Sequence, residues 1–188
     1  MRYGPLILLV TLAGGANGQP ATDPMRHTFL QRVDEYVTLH RRLEAPLPRE
    51  VTTADPEALY VSRHALAAAI RQARADARQG DIFSPAIAGQ FRGLVADALR
   101  AGGITDMLAI LEEENEDENF VSNPACVNAD YPAGGAISLM PPSLLAALPA
   151  LPPELEYRFL GRDLILWDVH AGLIVDFVPR AIPETTED

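Results

Sequence analysis

The hydrophobic period of the sequence changes between its two ends, and this change constrains the fold more than any other feature. Between residues 24 and 100, apolar residues recur at helical spacing, which lays them along one face of each helix. Between residues 154 and 180, they form short β-prone runs separated by turns. This order predicts an α+β fold, with an N-terminal layer of three to four helices and a small C-terminal antiparallel β-meander packed on it.

Capping signals place the helices. The first runs from Pro24 to Leu43, and its apolar face includes His40. The second starts at Asp55-Pro56-Glu57, which supplies an N-cap, an N1 proline and a first-turn acid, and it ends near Gly80, a left-handed C-cap. Its predicted buried stripe is Leu59, Leu66, Ile70, Ala73 and Ala77, and its arginines, Arg63, Arg71, Arg74 and Arg78, are predicted to face water.

The third helix opens at Ser84-Pro85 and runs to about Arg100, where Gly102-Gly103 breaks it. A fourth, shorter helix is predicted from Ile104 to Glu114. The resulting organisation is a signal peptide over residues 1–18 and a single α+β domain over residues 19–188. That domain divides into a helical part (24–114), a proline- and glycine-rich connector (115–153) and the β-meander (154–180). The connector is expected to hold a short helical segment over residues 143–148.

Three strands make up the predicted meander: 155–160, 163–167 and 173–178. In the first strand Leu155, Tyr157 and Phe159 alternate with the other residues, so one face of the sheet should pack on the helices. Cross-strand ion pairs are expected among the charged residues of this element, which are Arg158, Arg162, Asp163, Asp168 and Asp176.

The N-terminal residues have the pattern of a secretory signal. Arg2 provides the positive start, residues 6–13 form the apolar run, and Ala16-Asn17-Gly18 matches the small-x-small cleavage pattern. Cleavage would leave Gln19 at the mature N-terminus. The apolar run is too short to span a bilayer, and no later segment is long and apolar enough to do so. We therefore expect a soluble bacterial protein that is periplasmic or secreted.

Charge narrows the range of partners. The formal net charge is −11, and all 15 basic residues are arginines. Without lysine, Schiff-base chemistry on the chain is excluded. An acidic protein whose arginines form no basic stripe is repelled by phosphate backbones, so nucleic acid is not an expected partner.

Residues capable of chemistry are few, and no motif specifies a catalytic or cofactor-binding residue. Cys126 is the only cysteine, so it cannot form an intramolecular disulfide; it is predicted to be a small buried core residue, with pairing between chains as the alternative. The histidines His27, His40, His64 and His170 show no pair at i, i+4 spacing, so no zinc site is predicted. His40 is predicted to be a hydrogen-bonded core or edge residue, and His64 a solvated helix residue.

An acidic run and one tryptophan are weak candidates for binding. The run could offer oxygen ligands to a hard cation, but it lacks an EF-hand pattern and is expected to be a solvated linker; its acids are Glu112, Glu113, Glu114, Glu116, Asp117 and Glu118. Trp167 could anchor a partner if it is exposed, or belong to the core if it points inward.

The residues from Tyr157 to Asp168, continuing from Gly172 to Asp176, resemble a small β-element of the periplasmic nickel and cobalt homeostasis family. That resemblance implies a compartment more than an activity. The whole chain resembles an uncharacterised family of exported bacterial proteins, on the basis of Leu155-Glu156-Tyr157-Arg158 and the segment from Leu173 to Asp176.

We therefore predict an exported, non-catalytic accessory or binding module of the bacterial cell envelope, which binds a protein or envelope component and needs no cofactor. A periplasmic metal-handling protein is the alternative. A hydrolase with an unrecognised site, which would need a deep pocket lined by convergent polar groups, is a third hypothesis.

Overall fold

A computed structural model describes residues 23–47, 56–104, 107, 110, 124–132 and 140–184. The predicted signal peptide, Gln19, the acidic run and most of the predicted fourth helix lie outside these residues. Within them the helices are α1 (Pro24–Glu44), α2 (Pro56–Ala73), α3 (Pro85–Ala101) and α4 (Pro142–Ala147). The strands are β1 (Leu155–Leu160), β2 (Asp163–Asp168) and β3 (Leu173–Val178). The predicted α+β arrangement with a C-terminal meander is confirmed.

Helices α1 and α3 match their predicted bounds closely. Asp23 caps α1, since its side chain accepts a 3.0 Å hydrogen bond from the Met25 N–H. Ser84 precedes α3 without a side-chain cap, and Gly102 ends that helix. The buried faces include Phe29, Val33 and Val37 of α1, and Ile87, Phe91 and Val95 of α3. The predicted amphipathic patterns of both helices are confirmed.

The predicted stripe and end of α2 are wrong in part. The helix ends at Ala73, and Gly80, with a φ of +99°, lies in the following loop instead of capping the helix. Burial is concentrated on Leu66, Ala67 and Ile70, whereas Leu59 is 49% exposed. Ala73 is also exposed and Ala77 is half-buried.

Two of the four arginines predicted to face water have partners in the neighbouring strand and loop: Arg71, whose side chain is still 38% exposed, and Arg74, which directly follows α2. Arg71 donates to the Asn128 carbonyl, and Arg74 donates to the Val175 carbonyl. The Arg74 guanidinium also lies 5.0 Å from the centre of the Tyr36 ring. Strand β3 and the loop over residues 124–132 offer backbone carbonyl oxygens that accept hydrogen bonds from these guanidinium groups. The helical pattern of the sequence does not show these acceptors, so it predicts that the arginines face water.

The sheet has the order β1-β2-β3 with antiparallel pairing throughout. The β1–β2 register runs from Leu155 opposite Asp168 to Leu160 opposite Asp163. In β3 the register shifts, because Leu166 faces Asp176 whereas Trp167 faces Ile174. Val175 is therefore the extra residue of a β-bulge, which changes the direction of the side chains along β3.

Both faces of the sheet are covered. Leu155, Tyr157 and Phe159 pack into the main core with the helices, as the alternation in β1 predicts. The other face packs Leu160, Ile165 and Ile174 against Ala125 and Tyr131 from the loop over residues 124–132. The short helix α4 lies close to its predicted position and buries Leu144 in the main core, and Leu148, directly after the helix, is buried there too. Among the described helices, none has the length and apolar character needed to cross a bilayer.

Candidate metal centre

Asp168, the last residue of β2, is a fully buried carboxylate at the contact between the sheet and α1. One oxygen, Oδ2, accepts hydrogen bonds of 2.6 Å from the Tyr36 hydroxyl and pairs at 2.6 Å with Nδ1 of His40. The other, Oδ1, accepts the backbone N–H groups of His170 and Ala171. These contacts satisfy the buried charge and fix the turn after β2 against α1.

His40 is the central residue of the candidate site. It is fully buried on α1, as predicted for a hydrogen-bonded core histidine. Its Nδ1 is held by Asp168, and its Nε2 has no hydrogen-bond partner among the described residues. The Glu44 carboxylate is near, with Oε2 at 3.4 Å, but it is not aligned to form a hydrogen bond with Nε2.

Glu44 and His170 complete the cluster. Glu44 is one helical turn after His40 on α1, and its Oε1 lies 2.7 Å from Nδ1 of His170. The His40 and His170 rings are 5.3 Å apart. The side chains of Glu44 and His170 are 41% and 43% exposed, so this is the side from which an ion could reach Nε2 of His40.

One ligand atom from each of these three residues lies within 4.8 Å of the other two. Metal–nitrogen and metal–oxygen bonds are about 2.1 Å, so two ligands of one ion stand at most about 4.2 Å apart. A small closing movement of the exposed Glu44 and His170 side chains would therefore bring the set to bonding distance. Asp168 already holds Nδ1 of His40, the ring nitrogen that would not bind the metal. Metal-ligating histidines commonly have such a carboxylate partner on their second nitrogen.

The pKa values of His40 and Asp168 depend on each other. Burial by itself would lower the pKa of His40, but the hydrogen bond and charge of Asp168, with the charges of Glu44 and Glu154, leave that pKa raised above its ordinary value. Burial would raise the pKa of Asp168, but its hydrogen bond and ion pair with His40, with further hydrogen bonds from Ala171 and Tyr36, leave that pKa lowered. Without a metal ion, the two groups therefore favour a buried ion pair.

Glu154 is a second buried acid at this end of α1. Its Oε1 accepts a 2.6 Å hydrogen bond from Nε of Arg41, while its Oε2 is buried without a partner among the described residues. Burial opposes ionisation of Glu154, but the Arg41 hydrogen bond outweighs it, so the pKa of Glu154 is lowered. Its negative charge adds to the field that favours a cation beside His40.

The expected cross-strand ion pairs do not form. Asp168 and Asp176 are both buried and take other partners. Arg158 pairs with Glu156, and Arg162 pairs with Glu184 and with the Ile182 carbonyl. Asp163 accepts the backbone N–H of Arg180. The prediction is wrong because each of these groups finds a partner outside the predicted set.

The remaining candidates lie elsewhere. Trp167 is half-buried on the outer face of the sheet, with the Arg158 guanidinium 3.7 Å from the centre of its ring. Cys126 is exposed, so its predicted place in the core is wrong; it lies on the surface of the loop that covers the sheet. His27 and His64 are exposed and belong to no metal cluster in the described part of the chain. The acidic run from Glu112 to Glu118 lies outside the described residues.

Sequence reasoning missed the cluster because it compared histidines only with each other. The usable signal was the mixed pair His40 and Glu44, whose i, i+4 spacing puts both side chains on one helical face. The approach of His170 depends on the β2–β3 turn, which the sequence spacing does not show.

We compared the chain with family models, curated proteins and solved structures, and none of them matches it. The resemblances to exported protein families therefore stay predictions, and a function has to be argued from the residues themselves.

Proposed function

We propose that this protein is an exported, non-catalytic binding module whose ligand is one divalent transition-metal ion, held by His40, Glu44 and His170. The proposal combines the two functions expected from the sequence, but it places the metal at the α1–β2 contact and not on the acidic run. Export rests on the predicted signal peptide alone.

The observation that carries the proposal is the state of Nε2 of His40. A buried polar atom without a hydrogen bond is costly, and native proteins retain few of them. Here the atom faces a carboxylate and a second imidazole, while Asp168 holds the opposite ring nitrogen. An ion bound at Nε2 would satisfy this atom and bring Glu44 and His170 together on one centre.

The donor set defines the class of ion. Two imidazole nitrogens and one carboxylate suit Zn²⁺, Ni²⁺, Co²⁺ or Cu²⁺, whereas Ca²⁺ and Mg²⁺ prefer all-oxygen sites. Three protein ligands leave a coordination position open for water or for a group from a partner. The competing explanation is a simple polar cluster in which His40 and His170 pair with Asp168 and Glu44, and which would bind no metal.

Calorimetric titration of the purified, tag-free protein with Zn²⁺, Ni²⁺ and Co²⁺ tests the proposal, with Ca²⁺ and Mg²⁺ as ions that should not bind at this site. We expect one transition-metal ion per chain. Replacing the exposed ligand, His170→Gln, should weaken metal binding by at least about 10- to 100-fold. Removing a group that only hydrogen-bonds to a metal ligand already has an effect of that size.

His64→Gln is the matched control, because His64 is an exposed helical histidine outside the cluster. It should leave the affinity unchanged. Neutralising the acids from Glu112 to Glu118 should also leave zinc binding unchanged. Wild-type affinity in His170→Gln would contradict the proposal, and loss of zinc binding after neutralising the acidic run would move the site there.

A further inference from the structure

A second site lies near the opposite end of α1, where a cleft of about 670 Å³ opens between the start of that helix, the segment around α4 and strand β1. This volume falls within the range typical of small-molecule sites. Arg26, on its edge, is fourteen residues from His40 along α1, which corresponds to about 21 Å of helix. None of the three proposed metal ligands lines the cleft, although Leu155 in its wall lies opposite Asp168 in the sheet.

The lining of the cleft is mostly aliphatic. Leu148 and Leu155 are buried beneath it, whereas Leu145 is 55% exposed. The Tyr157 hydroxyl donates to the Pro149 carbonyl at 3.1 Å, and burial raises the pKa of this tyrosine well above its ordinary value. Tyr157 thus presents a neutral ring to the cleft with its polar atom already engaged. These surfaces suit a hydrocarbon chain.

The charged groups on the cleft are not equivalent. Arg158 is engaged, because it pairs with Glu156 at 3.1 Å and stacks on Trp167. Arg26 is exposed and forms no ion pair with any residue that the structure describes. Asp23 is near enough for the charge of Arg26 to act on it, but its carboxylate accepts its side-chain hydrogen bond from Gln90 and a backbone one from the Met25 N–H. Arg26 therefore remains available to a ligand, in a chain whose net charge is −11.

We infer that this cleft binds a linear alkyl carboxylate, with the hydrocarbon chain against the leucines and the carboxylate on the Arg26 guanidinium. An arginine can hold a carboxylate through two parallel hydrogen bonds, which fixes the orientation of the ligand. The acid on the cleft, Glu156, is already paired with Arg158 at 3.1 Å, so a cationic amphiphile would have to compete with that arginine. This inference does not depend on the proposed metal site.

The test is calorimetric titration of the purified protein with dodecanoate in the presence of a chelator, below the concentration at which dodecanoate forms micelles. Dodecyltrimethylammonium, which has the same chain and the opposite charge, is the comparison ligand. We expect one dodecanoate to bind per chain. The cation should bind at least about 10-fold more weakly, because it cannot make the charged hydrogen bond to Arg26, and losing even a weak bond of that kind costs about a factor of ten in affinity.

Two substitutions separate the contributions of charge and chain. Arg26→Gln should weaken dodecanoate binding by about 10-fold, whereas Arg42→Gln, an exposed arginine on the same helix, should not change it. Leu145→Asp, also at an exposed position, should weaken binding by placing a charge against the chain. Equal affinity for the cation, an unchanged Kd in Arg26→Gln, or no dodecanoate binding at all would each overturn the inference.

Discussion

Two aspartates of the sheet, Asp168 on β2 and Asp176 on β3, are both completely buried, yet their surroundings differ in kind. The four hydrogen bonds to Asp176 all come from backbone N–H groups: Gly80 and Phe177 donate to Oδ1, and Ile82 and Phe83 donate to Oδ2. Asp168 instead receives two side chains, Tyr36 and His40, as well as two backbone N–H groups.

This difference separates a structural acid from one that also positions a reactive group. Three of the four hydrogen bonds to Asp176 hold the loop before α3 against the sheet, and the fourth comes from the next residue of β3. None of the four donors has a further bond to offer. The chain of contacts from Asp168 continues through His40 to an unpartnered nitrogen beside Glu44 and His170. Removing either carboxylate should destabilise the fold, but only loss of Asp168 should change ligand binding.

The largest loss of stability is expected for Asp176→Asn. The amide keeps one acceptor oxygen and turns its NH₂ group toward two backbone N–H groups, which then lose their acceptor. Each buried unsatisfied group costs about 1–3 kcal/mol, so we expect a loss of about 3 kcal/mol or more in the free energy of unfolding. Urea denaturation measures it.

Asp163→Asn is the control for this change, because Asp163 accepts a single N–H bond in a more exposed position. Its effect should stay within about 0.5 kcal/mol, as is usual for surface substitutions. Equal stability of the two variants would show that the buried N–H groups are not what makes Asp176 important.

Asp168→Asn should act on metal affinity. The amide cannot supply the charge that fixes the His40 tautomer and raises its basicity as a ligand. We expect Zn²⁺ affinity to fall by about 10- to 100-fold, as for other outer partners of ligating histidines. Calorimetry at fixed pH measures this fall, with Asp163→Asn as the control. An unchanged affinity would mean that His40 is not a ligand.

Local pattern accounts for the part of the fold that the sequence predicts. The apolar faces of α1 and α3 depend on spacing within one element, and the meander depends on short runs joined by tight turns. What the sequence misses depends on distant contacts. Arg74 turns inward because Val175, about a hundred residues away, offers a carbonyl.

The candidate site shows the same limit more sharply. The sequence predicts that His40 lies on an apolar face and is hydrogen-bonded, and both statements hold. Its partner Asp168 is 128 residues away, and a strand-end acid is usually exposed. Asp168 is buried, and His170 is brought near Glu44, because the meander packs on α1. Residue spacing in the sequence does not predict this packing.

A matched pair of glycines extends the contrast between the two aspartates. Gly80 donates its N–H to Asp176, and Gly172 donates its N–H to the Asp168 carbonyl; both have a positive φ. An alanine in this conformation costs about 1–2 kcal/mol. At Gly172 the new methyl group would also displace the Arg63 guanidinium, whereas at Gly80 it would meet only ordinary contacts.

Urea denaturation should therefore show a loss of stability in both Gly80→Ala and Gly172→Ala. The loss in Gly172→Ala should equal or exceed the loss in Gly80→Ala. Zinc titration should distinguish them. Gly172→Ala distorts the turn that carries His170 and should weaken binding, though less than Asp168→Asn does, whereas Gly80→Ala should not. Weakened zinc binding in Gly80→Ala would contradict the separation of the two regions.

The stability of the fold at alkaline pH also distinguishes the surroundings of the two aspartates. The Tyr36 hydroxyl is hydrogen-bonded to Asp168, whereas no described tyrosine is hydrogen-bonded to Asp176. Burial, and then the charge of Asp168, raise the pKa of Tyr36 far above its ordinary value of 10.0. A raised pKa in the folded state means that the stabilisation is fully present below pH 10 and is lost as the pH rises, since only the unfolded chain then releases the proton. For the metal-free protein we expect Tyr36 to contribute a loss of about 1.4 kcal/mol per pH unit above pH 10. Urea denaturation at pH 9 and pH 11 should show a smaller loss in Tyr36→Phe than in the wild type, and identical losses would show that the hydroxyl beside Asp168 ionises without opposing the fold.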